Sequence, residues 1–170
     1  RIKETAMALF AVYFCFTAAA AAAYMLWGMG FLEALDHAFS TIATGGFSTR
    51  NESIAYYHSA SLEMIITFFM VISSANFGIY VDAWKRGLHV IWKDTEFRVY
   101  LALVAGAVLL LTTSLVLQGH MPLLESLREA IFHSASLSST TGFVAADFDQ
   151  WPSFAKFIIL LLIIIGGCGG

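Results

Sequence analysis

The stretch EALDHAFSTIATGGF, residues 33–47, decides the fold of this chain because it occurs twice. At a constant offset of 96 residues it aligns with EAIFHSASLSSTTGF, residues 129–143, and seven of the fifteen positions are identical. This agreement is well above what composition alone would give. Because an internal repeat defines the folding unit of a chain, we expect each copy to occupy the same place in two successive units.

Each copy combines a short helical pattern with a flexible end. The apolar residues have helical spacing over 31–43 and over 123–138, with carboxylates in the first turn, where they suit the helix dipole. Both segments are too short to cross a bilayer. Both lead into small or hydroxylated residues, so the pattern predicts a re-entrant helix followed by an extended return. Non-helical backbone at membrane depth needs protein or a water-filled cavity around it, which indicates a shared pore.

Apolar segments flank both copies. Of the 170 residues, 59% are hydrophobic and 12% are charged, about half the charged fraction of a soluble domain. No Asp, Glu, Lys or Arg occurs in 5–32, 64–81 or 99–124, and each stretch is long enough to cross the hydrocarbon core. The predicted fold is therefore an all-α membrane protein with tandem span–re-entrant pore helix–span repeats, a K⁺-channel-like pore architecture.

The predicted repeats have the following bounds. The first is 1–82, with spans over 5–28 and 62–81 around the pore helix 31–43 and a filter at 44–47. A cytoplasmic connection covers 83–98. The second repeat is 99–170, with a span over 99–118, the pore helix 123–138, a filter at 140–143 and a truncated span over 154–170.

The basic residues predict the orientation of these spans. Lys85, Arg86, Lys93 and Arg98 lie in the connection after the second span, and Arg1 and Lys3 precede the first. Because cytoplasmic loops carry an excess of Lys and Arg, both hairpins are expected to open to the outside.

The two glycine turns suit cation coordination by the backbone. A dehydrated cation needs oxygen ligands, and rings of backbone carbonyls supply them in potassium filters. Glycine lets such a backbone approach the axis and adopt positive φ. We therefore predict that K⁺ is bound by filter carbonyls only, those of Thr44, Gly45, Gly46, Thr140, Thr141 and Gly142. The alternative is a pair of ordinary glycine turns in extracellular loops, which two matched copies between spans disfavour.

Side chains around the turns carry further expectations. Phe47 and Phe143 are expected to wedge behind the filter, and Arg50 to tie down its outer end. His37 and His133 are expected to be neutral and hydrogen-bonded behind the pore helices rather than to carry protons.

A family resemblance runs along essentially the whole chain. Residues 37–49, the connection 92–98 and the terminal 165–170 resemble the Trk/Ktr/HKT superfamily of potassium transporters, and most closely its bacterial TrkH/TrkG branch. The resemblance implies four span–pore helix–span repeats around one pore, with one filter glycine in each. It assigns those glycines to Gly46 and Gly142 and makes this chain repeats two and three, without the first and the fourth.

The function implied by the resemblance is potassium transport across the bacterial cytoplasmic (inner) membrane by a multi-pass protein in the lipid bilayer. A Na⁺/K⁺ or H⁺-coupled symporter of the same superfamily is the alternative. The resemblance also implies a homodimer and a TrkA-like cytosolic nucleotide-binding ring subunit. No cofactor other than the transported K⁺ is expected, and a net charge of −3 gives no reason to expect nucleic-acid binding.

An enzyme is not expected. His58-Ser59 and His133-Ser134 offer a base next to a nucleophile, but no third orienting residue or nucleophile elbow accompanies them. The histidines also lack the spacing of an enzymatic metal site.

A glycine cluster closes the chain, at Gly166, Gly167, Cys168, Gly169 and Gly170. It interrupts an apolar run, and glycine weakens a helix by about 1 kcal/mol per position relative to alanine. The spacing alone fits either an intramembrane loop or close helix packing through small residues. The resemblance favours the loop and implies that it acts as a gate below the filter.

Overall fold

A computed structural model describes residues 2–166 of the chain. They contain no β-strand, and their eight α-helices are α1 Ile2–Leu26, α2 Phe31–Ile42, α3 Ala60–Ser73, α4 Phe77–Arg86, α5 His89–Lys93, α6 Thr95–Leu117, α7 Leu123–Ser138 and α8 Ser153–Ile165. Two short 3-10 turns lie between them, at Ser53–Tyr57 and Phe148–Gln150.

The helices form two units of the same design. In the first unit, a long apolar helix (α1) is followed by a short helix (α2), a connection and a further apolar helix (α3). In the second unit, α6, α7 and α8 follow in the same order. The helices α1 and α6 are long and apolar enough to cross a membrane. Each long helix packs on the short helix that follows it, and α3 of the first unit packs on α7 of the second.

The second predicted span, 62–81, is broken in the structure. Helix α3 ends at Ser73 and α4 begins at Phe77, with a bend of 84° between them. Small polar side chains make this break, because they offer the backbone partners that compete with the helical ladder. The Ser74 hydroxyl donates to the Val71 carbonyl at 2.8 Å, and the Asn76 side chain accepts from Gly78 N at 2.9 Å. Asn76 thereby caps the N-terminus of α4.

The core has two parts, and one of them is shared between the units. The shared part lies among α1, α2 and α3 and also takes in Phe132, Ala135 and Phe143 of the second unit. The other part lies among α6, α7 and α8 and includes Trp151. A buried hydrogen bond from the Tyr24 hydroxyl to Thr41 Oγ1, 3.0 Å long, fixes α2 against α1. The shared core therefore holds the ends of both short helices near one another.

Candidate functional site

Both short helices end in a turn with the same unusual backbone. Thr44 and Gly46 have φ values of 51° and 69°, and the equivalent Thr140 and Gly142 have 59° and 80°. The residue between them, Gly45 or Thr141, does not have a positive φ. A β-branched residue in this region is a genuine outlier, and such a conformation costs of order 1–3 kcal/mol. Because it recurs at equivalent positions of both units, this conformation belongs to the repeated unit rather than to one local packing.

The two turns meet at Gly46, the repeated glycine of the first unit. A Cβ built on Gly46 would overlap the backbone carbonyl oxygen of Thr141, so the Gly46 backbone lies directly against the second turn. A Cβ built on Gly142 meets nothing within 4 Å. Gly46 is thus required by both its φ and its contact, whereas among the described residues Gly142 is required by its φ alone.

A cavity of about 650 Å³ lies beside the two turns. Its walls include the C-terminal ends of both short helices, residues 42–44 and 138–140, and the break between α3 and α4, residues 73–78. The last carbonyls of a helix carry a partial negative charge. Because both helix ends open onto this cavity, their dipoles favour a cation in it.

Comparison with known proteins identifies the family. The family model named TrkH, described as a cation transport protein, matches residues 1–170. The chain belongs to the TrkH family of cation transport proteins. It is 40% identical over 171 residues to the Trk system potassium uptake protein TrkH of Halomonas elongata. To the protein of the same name from Escherichia coli it is 37% identical over 174 residues.

Both alignments cover the whole chain and 36% of the relative, so the chain spans about a third of the length of these TrkH proteins. The crystal structure of the potassium transporter TrkH from Vibrio parahaemolyticus matches the fold with a TM-score of 0.93 at 35% identity. That match covers 99% of this chain and 37% of the other. The predicted family resemblance and fold class are confirmed.

The two phenylalanines of this TrkH-family chain occupy different environments. Phe143 is 1% exposed and packs in the shared core, with its ring centroid 5.8 Å from that of His37 in the first unit. Phe47 is 78% exposed. In the described chain, therefore, only Phe143 packs behind its turn. Phe143 is buried because it packs against core residues of the preceding unit.

The two histidines are fully buried and hydrogen-bonded behind the short helices, as predicted. His37 Nδ1 donates to the Glu33 carbonyl at 2.7 Å, and its Nε2 lies 2.9 Å from Ser48 Oγ on the return segment. His133 Nδ1 donates to the Glu129 carbonyl at 2.9 Å, and its ring also interacts with the backbone of Ala146. Both histidines therefore contact the chain beyond their turn, the first through a serine side chain and the second through the backbone.

Arg50 ties the outer end of the first turn to α2, in agreement with the sequence expectation. Its Nη2 bonds Glu33 Oε1, and its guanidinium carbon lies 4.2 Å from the ring centroid of Tyr56. The Tyr57 hydroxyl donates to Glu33 Oε2 at 3.3 Å. Burial, and then the nearby Glu33 carboxylate, raise the pKa of the Tyr57 hydroxyl, so it remains a donor at neutral pH.

A charged cluster that sequence reasoning missed lies between the units. Arg128 Nε is 3.2 Å from Glu63 Oε2, and Arg128 Nη2 is 3.1 Å from Glu129 Oε1. One available signal was the position of Glu63, which directly precedes the charge-free stretch beginning at Met64. A carboxylate at that place needs a cationic partner if the segment is buried.

Of the predicted gate, the structure describes only Gly166. It ends α8, and a Cβ built on it would lie 2.7 Å from the Leu137 carbonyl oxygen and 2.9 Å from that of Leu162. This glycine therefore permits close packing of α8 on the end of α7. The other residues of the cluster, Gly167, Cys168, Gly169 and Gly170, lie outside the described residues, and the gate stays a prediction.

Proposed function

We propose that this chain supplies two of the walls of a potassium-selective path across the membrane. The observation that carries the proposal is the meeting of two equivalent, strained turns beside a cavity onto which both short helices direct their C-terminal ends. The names of the relatives, potassium uptake proteins, support K⁺ as the transported ion.

In the proposed path, backbone carbonyls replace the hydration shell of the ion. They belong to the two turns: Thr44, Gly45, Gly46, Thr140, Thr141 and Gly142. In an ordinary strand successive carbonyls point to opposite sides, so only a part of them could face an axis. A sign change of φ at each successive residue, as observed in both turns, lets neighbouring carbonyls face the same side. The strained threonines and glycines would thus serve to point successive carbonyls toward the ion.

Hydrogen bonds behind the second turn would keep its carbonyls in place during conduction. The Ser136 hydroxyl donates to the Phe143 carbonyl at 2.7 Å, and Ser139 Oγ lies 2.8 Å from Thr141 Oγ1. All four of these residues are buried. A preorganised site of this kind favours an ion of one size, because a smaller ion would require the backbone to move inward.

The remaining features of the transporter belong to the same proposal. The chain spans about a third of its relatives' length, and the family resemblance implies two further units, which would complete the ring of carbonyls. The glycine cluster at 166–170 would form the gate on the cytoplasmic side of the cavity. The resemblance further supports an inner-membrane homodimer with a TrkA-like ring subunit.

The proposal is tested by rubidium uptake in liposomes that contain the protein carrying these two units. Uptake driven by a membrane potential should be inhibited by K⁺ at far lower concentration than by Na⁺, and it should need no Na⁺ or H⁺ gradient. Uptake that depends on either gradient would select the alternative, a coupled cation symporter. Equal inhibition by the two ions would contradict the K⁺-selective path.

A further inference from the structure

The cluster of Glu63, Arg128 and Glu129 joins two buried carboxylates to a partly exposed arginine at the boundary between the two units. Glu63 is 4% exposed and Glu129 is 3% exposed. The two carboxylates share one arginine, with nitrogen–oxygen distances of 3.2 Å and 3.1 Å. Removing a single partner from such a group leaves an uncompensated buried charge, which is strongly unfavourable. The arginine therefore cannot be removed without forcing the two carboxylates, or the helices that carry them, to rearrange.

The cluster joins elements of different units. Glu63 lies in the first turn of α3, whereas Arg128 and Glu129 lie in α7, and these two helices pack against each other. At the offset of 96 residues the positions equivalent to Glu63 and Arg128 are Ile159 and Leu32. The cluster is thus not a copy of a repeated motif. It is specific to this boundary.

The carboxylate that occurs in both units has a different arginine partner in each. Glu33 and Glu129 are equivalent, and each has an arginine partner, but the partners come from different places. Glu33 pairs with Arg50 of its own unit, beyond the turn. Glu129 pairs with the adjacent Arg128, whose guanidinium also reaches Glu63 in the other unit.

A displacement at this cluster would reach the second turn. From Arg128 to the end of α7 at Ser138 the helix is uninterrupted, a length of about 15 Å, and the turn begins two residues later. At the other end, Gly46 and the Thr141 carbonyl are in direct contact, so the two turns have little freedom to shift without altering their spacing.

We propose that Arg128 is a positioning residue for the ion path, which sets the second turn against the first by binding the carboxylates of both units. This inference rests on the proposed conduction of K⁺ between the turns. The ion-pair partners of Arg128, Glu63 and Glu129, lie outside both turns. Its effect on the second turn is therefore transmitted through α7.

The experiment measures the Na⁺ to K⁺ permeability ratio of reconstituted, monodisperse protein. Arg128→Gln should raise the ratio at least about fivefold, the scale of a coupling between contacting charged residues. The charge exchange E63R/R128E keeps one arginine and two carboxylates, so it should return the ratio to within about twofold of wild type. Lys156→Gln is the matched control, since Lys156 is an exposed cation on α8, and it should leave the ratio unchanged.

A merely structural role for Arg128 would lower the yield and thermal stability of the protein without changing the ratio. An unchanged ratio in folded R128Q therefore overturns the inference. If R128Q does not fold, Glu63→Gln decides, because it keeps the side-chain shape and leaves Arg128 paired with Glu129. An unchanged ratio in folded E63Q overturns it equally. A wild-type protein that does not prefer K⁺ contradicts the proposed function instead.

Discussion

The two units hold the same backbone turn by different means. In the first unit the return segment is anchored by polar side chains, Ser48 against His37 and Arg50 against Glu33. The equivalent positions of the second unit are Val144 and Ala146, which have no polar side chain. Both turns nevertheless have positive φ at equivalent residues. The conformation of the turn, rather than the chemistry of its anchor, is thus what the two units share.

The second turn is anchored through its backbone to the first unit. Val144 N donates to the Ser53 hydroxyl at 3.2 Å, and the Val144 carbonyl accepts from Ile54 N at 3.0 Å and Ala55 N at 3.1 Å. The buried Phe143 adds an apolar contact to the same neighbour. Besides the serine hydroxyls of its own unit, the second turn is therefore held by the first unit, whereas the polar anchors of the first turn come from within its own unit.

The largest expected effect comes from the glycine at which the two turns meet. Gly46→Ala should reduce rubidium uptake by more than about tenfold, because alanine adds backbone strain at positive φ and a direct overlap with the Thr141 carbonyl. Gly45→Ala is the matched comparison. Its added methyl would meet only ordinary contacts at 3.4 Å or more, so its loss should be smaller. Equal losses in the two variants would show that the contact between the turns is unimportant for transport.

An intermediate effect is expected from exchanging the anchors. Ser48→Val introduces the residue of the second unit and leaves the buried His37 Nε2 without its partner, which should lower the free energy of unfolding by about 1–3 kcal/mol. Val144→Ser is the reciprocal change, and it removes no hydrogen bond, because Val144 is held through its backbone N and carbonyl. It should therefore be less destabilising than Ser48→Val. Thermal unfolding in detergent measures both, and the opposite ranking would contradict the anchoring role of Ser48.

The smallest expected effect concerns Ser53, which links the two units. Ser53→Ala removes the acceptor of Val144 N and should cost about 1 kcal/mol. Ser53 has a φ of 54°, so Ser53→Gly removes the same hydroxyl while relieving backbone strain. Glycine should therefore be tolerated better than alanine. If both variants unfold at the temperature of the wild type, the hydroxyl contributes nothing to holding the second turn.

The order of the elements could be predicted from the sequence, because it depends on local patterns. Charge-free stretches mark the spans, helical spacing marks α2 and α7, and the offset of 96 residues shows that both belong to equivalent units. The break of the second span could not be placed in the same way. Its serines and Asn76 were visible, but whether they continue or interrupt an apolar helix depends on their local hydrogen-bond partners.

What the sequence by itself determined is the repeat, and with it the fold class, the family and the positions of the two turns. Only the tertiary structure decided how the units differ: that Phe143 is buried while Phe47 is exposed, that Val144 is held by residues 53–55, and that Arg128 binds Glu63. The physical reason is the range of the interactions. Hydropathy and helical spacing act between near neighbours in the chain, whereas each of these contacts joins residues of different units, and their pairing is set only when the helices pack.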